Sequence, residues 1–282
     1  MSAKREKIKE HQLQGFKYFK AISGLLENLH DAGCNRDKAG NRTLHMDQYM
    51  SLLLLYMFNP ICTSLRAVQQ ASELKKVQRK LGCSRASLGS LSESARVFDS
   101  ELMQEIIKDL SAQLKPISRH AKLDDLAGIL TAVDGTLINA MSKMTWALWK
   151  TEANAVKAHT QFDLEKHVPV KITITEGNGD ERDVLADNLE SGRIYVKDRG
   201  YASLALFQQI LDSHSSFVCR LRDNSVYECL EDHKLTADAV AAGIVFDKKV
   251  RLGSNNKTIQ QLSVPVRLIA IKCTPHKKRY KS

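Results

Sequence analysis

The chain has 282 residues, of which 43% are hydrophobic and 26% charged, a composition that folds in water and a length sufficient for two domains. Its formal net charge of +10 and sequence pI near 9.3 favour a polyanionic partner, with nucleic acid first among them. No run approaches the ~18 apolar residues that cross a bilayer, the first ten residues are charged with no apolar segment behind them, and the six cysteines form no CxxC pair, so no membrane span, secretory leader, disulfide frame or zinc site is expected. Cys273 and His276 alone share a metal-like spacing, and two ligands do not make a zinc site.

Residues 1–120 read as helices. Phe16, Phe19, Ile22, Leu25, Leu26 and Leu29 recur at spacings of three and four and give one apolar helix face. A second helix covers His45 to Phe58 and stops at Asn59-Pro60; a third covers Ser64 to Leu74. Ser90-Leu91-Ser92-Glu93 fits a capping box and opens a helix to Phe98, followed by another from Ser100 to Leu114. The helix, turn and helix around Asn59-Pro60 fit either a plain bundle or a helix-turn-helix. Lys75, Lys76, Arg79, Lys80 and Arg85 lie just beyond and could meet phosphates, so this part is expected to contact DNA.

From Leu126 strands and helices alternate. The apolar run Leu126 to Val133 leads into Asp134-Gly135-Thr136. Strands follow at Ala155 to Leu164 and Val168 to Thr175, joined by a turn at Glu165-Lys166-His167. Gly177-Asn178-Gly179-Asp180 is a turn, and Asp183 to Leu189 a short helix. A buried strand, Arg193 to Val196, runs into Lys197-Asp198-Arg199-Gly200-Tyr201. A helix at Ser203 to Leu211 and a strand at Phe217 to Leu221 complete the series. This β-β-β-α-β-α-β order is that of a ribonuclease H-like core, an α+β fold in which the first and fourth strands are neighbours, so Asp134 and Asp198 would converge. Mg²⁺ prefers carboxylate oxygens, and two such ions about 3.5–4 Å apart can hold the attacking and leaving oxygens of a phosphodiester exchange. Lys150, Lys197 and Arg199 are cations near that point.

The stretches AVDGTLI (132–138), KAHTQFD (157–163) and VKDRGYASL (196–204), with SLGSLSESARVFD (87–99) before them, resemble the DDE transposases of bacterial insertion sequences, in the insertion-sequence-four family. The resemblance covers roughly residues 40 to 282. It implies a helical DNA-binding domain (1–120), a ribonuclease H-like catalytic core (121–216), and the last core strand with the start of a β-rich insertion (217–282). Within the insertion, strands fall at Phe217–Leu221, Val245–Leu252 and Val264–Ile271. It implies that Asp134 and Asp198 are the first two catalytic, metal-binding aspartates, with Mg²⁺ or Mn²⁺ as the only cofactor. Arg199, Tyr201, Lys197 and Lys150 would meet DNA.

The partners implied are duplex DNA, at element ends and target, and a second copy on DNA, in the cytoplasm at the bacterial nucleoid. The family's third acid lies in a Tyr-x₂-Arg-x₃-Glu-x₆-Lys string, which these 282 residues do not contain. The resemblance therefore implies a chain that stops before that helix; Glu228, Glu231, Asp232 and Asp247 are substitutes on paper. A ribonuclease H-type nuclease and an inactive DNA-binding remnant are the alternative expectations.

Overall fold

The computed structural model describes residues 7–32, 36–38, 40–117, 123, 125–139, 147–149, 153–254 and 261–273. The chain divides into two compact units, Met1–Leu110 and Ser111–Ser282.

The first unit is helical: α1 (Phe16–Leu26), α2 (Leu29–Ala32), α3 (Met46–Phe58), α4 (Leu65–Ser72), α5 (Lys75–Leu81), α6 (Leu88–Val97) and the start of α7 (Met103–Gln113). Its core joins Phe19, Leu52, Leu55, Val68, Val77 and Leu91, all nearly solvent-free. Each such aliphatic side chain contributes roughly 1.5–3 kcal/mol by burial. The turn after α3 is held by a buried Asn59, whose amide donates to the Leu55 carbonyl and whose Oδ1 accepts from Gln14 N–H. The expected capping box at Ser90 is displaced by one turn. Ser87 is extended, and its hydroxyl accepts from Ser90 N–H at 3.0 Å, so the helix starts at Leu88 and Ser90 lies inside it. Lys75, Arg79 and Lys80 on α5 are exposed and, among the described residues, have no acidic partner.

The second unit is α+β. Its first sheet contains β1 (Ile129–Asn139), β2 (Leu148–Trp149), β3 (Ala153–Asp163), β4 (Val168–Glu176), β5 (Arg193–Lys197) and β6 (Ser216–Cys219). The main order is β4-β3-β1-β5-β6, with β2 also on β3; β4, β3 and β1 pair antiparallel, and β1, β5 and β6 parallel. The β3–β4 turn is fastened by buried Asp163, whose Oδ1 accepts from the Glu165 and Lys166 N–H groups.

Two helices, α8 (Glu181–Ala186) and α9 (Leu204–Asp212), cover one face. Val133, Leu185, Tyr195, Tyr201, Leu206 and Ile210 form the core between them and the sheet. The helix α8 starts earlier than the pattern suggests, because Asp180 rather than a later residue caps it, accepting from Arg182 N–H. Residues at even positions of β1 and β5 point to the other face. On that face Ile174 is 51% and Val218 57% exposed.

A second sheet, β7 (Tyr227–Asp232), β8 (Ile244–Leu252) and β9 (Val266–Ile271), is antiparallel in that order, with α10 (Ala237–Ala241) between β7 and β8. β7 and α10 are absent from the sequence reading: every residue of β7 is exposed, so no buried face imposes a legible alternation. The second sheet packs on α9 through Phe207, Val250, Leu252 and Leu262.

The register of β1 on β5 is fixed at their starts. Gly128 and Gly192 both have positive φ, and Ile129 N–H donates to the Gly192 carbonyl at 3.0 Å. A Cβ on Gly128 would stand 3.1 Å from that same carbonyl, so the close approach of the two chains needs the glycine.

Candidate active site

Pairing between β1 and β5 runs Ile129↔Arg193, Leu130↔Ile194, Thr131↔Tyr195 and Ala132↔Val196. Two residues further along each chain stand Asp134 and Asp198. Asp134 is on β1 and Asp198 is the first residue past β5, so they occupy equivalent positions along neighbouring chains whose strands lie about 4.8 Å apart, and both are exposed. Their parity sends both side chains to the face opposite α8 and α9.

The expectation that Asp134 ends its strand is corrected in one respect. β1 continues to Asn139 because β3 pairs with it through Asp134↔Thr160 to Asn139↔Ala155. What ends near Asp134 is the pairing with β5. Alternating hydrophobicity fades there because residues 134 and 136–139 are exposed, which makes a strand look like a turn.

Asp198 caps a short 3-10 turn, Arg199–Tyr201, its Oδ1 accepting from Gly200 N–H at 2.8 Å. A Cβ on Gly200 would sit 3.0 Å from that oxygen, so glycine lets the carboxylate fold back over the turn. The Cys219 thiol donates to the Asp198 carbonyl at 3.2 Å and ties β6 to the same turn. Arg199 is exposed and faces Asp223 at 3.7 Å.

Two residues expected to meet DNA lie inside. Tyr201 is 1% exposed and packs under the strand end with Val133, Leu206 and Ile210, so its ring presents no stacking surface. Burial pushes its hydroxyl well above the usual range, and the charges of Glu181, Asp134 and Asp198 push in the same direction. Lys197 is 5% exposed, with its Nζ 4.7 Å from the Phe207 ring centroid and 5.5 Å from that of Phe217. The odd parity that puts Lys197 beside Tyr195 turns it towards α9, away from the Asp198 face. Lys150 lies outside the described residues, as does His276 of the weak zinc spacing.

Burial lowers the Lys197 pKa to about 8. A lysine whose pKa falls on folding disfavours the folded state while it is charged, and the penalty fades as pH rises from that value to the ordinary lysine range. Lys197→Met is therefore expected to stabilise the chain by roughly 2–3 kcal/mol at pH 7. The gain should shrink steadily above pH 8, read from urea denaturation at pH 7 and pH 10.

Glu181, which the sequence reading passed over, is the acidic side chain that packs against the residue following Asp134. A Cβ on Gly135 would meet its Oε1 at 2.6 Å, and Lys157 Nζ stands 3.4 Å from the same oxygen. It sits on the helix-covered face, behind the aspartates. The paper substitutes for a third acid are elsewhere: Glu228, Glu231 and Asp232 are on β7, and Asp247 on β8 is held by Arg267, whose guanidinium donates to both carboxylate oxygens.

Among the described residues the one group of three that could gather round an ion is His30, Asp31 and His45 in the first unit. There the two imidazoles stack at 3.8 Å and 8°, so their in-plane lone pairs lie in two nearly parallel planes. The described cysteines, 62, 83, 219, 229 and 273, are all free thiols, and no described helix is long and apolar enough to cross a membrane.

Comparison with known proteins gives a family match first: residues 126–262, just under half of the chain, match the transposase DDE domain. The particular relatives agree. A putative transposase, y4zB, of Sinorhizobium fredii (strain NBRC 101917 / NGR234) is 24% identical over 146 residues, 51% of this chain and 40% of the relative. The probable transposase for insertion sequence element IS5377 of Geobacillus stearothermophilus is 26% identical over 96 residues, 34% of this chain and 26% of the relative. The aligned region thus spans well under half of each relative. The piggyBac transposase, solved as a synaptic complex with hairpin DNA, aligns over 95% of this chain and 54% of its own at 11% identity, with a TM-score of 0.32.

Proposed function

We propose that this chain is the transposase of a bacterial insertion sequence, of the insertion-sequence-four kind, in which Asp134 and Asp198 hold Mg²⁺ or Mn²⁺ on a ribonuclease H-like core. The observation that carries the reading is the register: the pairing of β1 with β5, continued two residues, brings the aspartates level on one face. The strand order β4-β3-β1-β5-β6, three antiparallel and then two parallel, supports the ribonuclease H-like assignment. The transposase matches favour it over a ribonuclease H-type nuclease.

The donor set fits a hard cation. Two exposed carboxylates, one on β1 and one just past the end of β5, can each offer an oxygen, and Mg²⁺ is satisfied by one or two carboxylates with water and phosphate oxygens completing its shell. When bound, the ion supplies charge stabilisation at the scissile phosphodiester and activates the attacking oxygen. The chain's own part is to hold both carboxylates at fixed separation. Gly200 N–H orients Asp198, and the β1–β3 ladder on its other side steadies Asp134. Exposed Arg199 is the cation placed to meet a DNA phosphate at this end of the sheet.

We assign residues 1–120 to DNA contact, 121–216 to the catalytic core and 217–282 to the last core strand and the β-rich insertion. The partners are element ends and target duplex, with two copies assembling on DNA at the nucleoid. Lys75, Arg79 and Lys80 supply an exposed basic edge for phosphates. Retention of the full chain on duplex DNA is expected to fall steeply between about 50 and 200 mM salt, because each cation–phosphate contact releases counterions. A triple substitution, Lys75→Gln, Arg79→Gln and Lys80→Gln, is expected to reduce the slope of log affinity against log salt by ~2–3. An unchanged slope would remove α5 from the interface.

A further inference from the structure

Behind the aspartate pair, on the helix-covered face, lies a cavity of about 10 Å³ lined in part by Val133, His159, Gln161, Glu181, Leu185 and Tyr201. That is close to the smallest space that admits one water, about 10–15 Å³. Three buried polar atoms without a hydrogen-bond partner in the protein belong to this lining: His159 Nδ1, Gln161 Oε1 and the Tyr201 hydroxyl. Buried polar groups are costly to leave unpaired, and three around one cavity point to a shared partner.

The donor and acceptor inventory identifies that partner. The Thr175 hydroxyl donates to the Glu176 carbonyl at 3.0 Å, so its oxygen accepts from His159 Nε2–H at 2.8 Å. In that tautomer Nδ1 is an acceptor. Burial and the Lys157 charge lower the His159 pKa, consistent with the neutral ring. The Gln161 amide nitrogen donates to the Asn188 carbonyl at 3.1 Å, which leaves Oε1 as a second acceptor. The Tyr201 hydroxyl stays protonated and supplies one donor; the Glu181 carboxylate, which also lines the cavity, lies near that hydroxyl but does not meet it in hydrogen-bond geometry. Two acceptors and one donor match a molecule that donates twice and accepts once.

We propose that a single internal water molecule occupies this cavity, donating to His159 Nδ1 and Gln161 Oε1 and accepting from the Tyr201 hydroxyl, and that it makes Tyr201 a positioning residue for Asp198. Tyr201 ends the turn that Asp198 caps, and His159 and Gln161 belong to β3, which pairs with β1 opposite Gly135 and Val133. The water links the Asp198 turn to the strand that steadies Asp134. The positioning role rests on the metal reading of the two aspartates; the water itself does not.

A crystal structure of the full chain at a resolution that shows ordered solvent is the direct test. One solvent peak within hydrogen-bond distance of all three atoms is expected. An empty cavity, the three side chains bonded directly to one another, or the Tyr201 hydroxyl donating to the Glu181 carboxylate overturns the proposal. In solution, Tyr201→Phe and Gln161→Leu are each expected to lower the melting temperature, and the double variant to lose less than the two shifts added, because one water is lost once. Fully additive shifts count against the bridge.

For the positioning role, a Tyr201→Phe crystal structure is expected to show the 2.8 Å Asp198–Gly200 hydrogen bond lengthened or broken. An unmoved Asp198 carboxylate overturns it. Mn²⁺ titration of the unaltered chain tests the metal reading separately, since a chain that binds no Mn²⁺ can still show the solvent peak.

Discussion

Asp198→Asn and Asp134→Asn are each expected to weaken Mn²⁺ binding by this chain by about 10–100-fold or more, since loss of even an outer-shell partner of a metal site typically costs that much. Asparagine keeps the shape of each side chain and, at position 198, the oxygen that accepts from Gly200 N–H, so the turn survives. Both positions are exposed, and the variants should therefore unfold within about 0.5 kcal/mol of the parent. Loss of binding without loss of stability is the signature sought, read by Mn²⁺ titration followed by electron paramagnetic resonance beside urea denaturation. Undiminished Mn²⁺ binding in both variants would sink the assignment.

Cleavage is a separate matter. No group of three ligands that includes Asp134 and Asp198 closes around a point among the described residues. In-line displacement needs its reacting atoms placed closely, and an error of about 1 Å can cost on the order of a hundredfold. A polypeptide of these 282 residues is expected to cut a labelled element end weakly or not at all with Mn²⁺. Strong cutting abolished by Asp134→Asn would mean that another carboxylate completes the site, and Glu228, on β7, would be the first to substitute.

Phe207→Ala is expected to destabilise the second unit by ~3–5 kcal/mol, the range for removing a buried aromatic ring and leaving a cavity. The ring is 1% exposed and stacks on Phe217 at 4.2 Å and 6°. It also belongs to the cluster that seats the second sheet, with Val250, Leu252 and Leu262. Its removal takes away one of the two rings beside Lys197 Nζ and leaves the other. Two probes should therefore report the loss: the denaturation midpoint, and protease cutting near β7 to β9 at lower denaturant than in the parent. A shift below about 1 kcal/mol would be that of an ordinary surface change, and would mean that the second sheet holds itself without α9.

Much of this architecture is legible in the residues. Apolar periodicity gives α1, the Asn59-Pro60 stop bounds α3, strand-like runs give β3, β4 and β5, and Glu165-Lys166-His167 gives the hairpin turn. The parallel neighbourhood of β1 and β5 follows from the order of elements, and the structure adds the register that no composition reveals. What escaped has physical causes. Tyr201 and Lys197 carry polar ends that suggest a surface, yet their parity on and after β5 turns both inward. Ser90 looks like a cap, but Ser87 is the residue with extended backbone. Glu181 is one of many acids in the chain and becomes distinctive only when the fold lays it on Gly135.

The glycine pair at the start of β1 and β5 gives the sheet a ruler. Each aspartate follows its glycine by six residues, so the two carboxylates arrive level because two equal lengths of strand are measured from one shared origin. Side chains alternate faces with every residue, so removing or adding one residue between Gly192 and Asp198 would send Asp198 to the helix-covered side while leaving every side chain of the site chemically intact. Spacing is thus as exacting a requirement as residue type along these two segments. A scan of single-residue insertions should find them intolerant even at positions where substitutions pass, such as Val196.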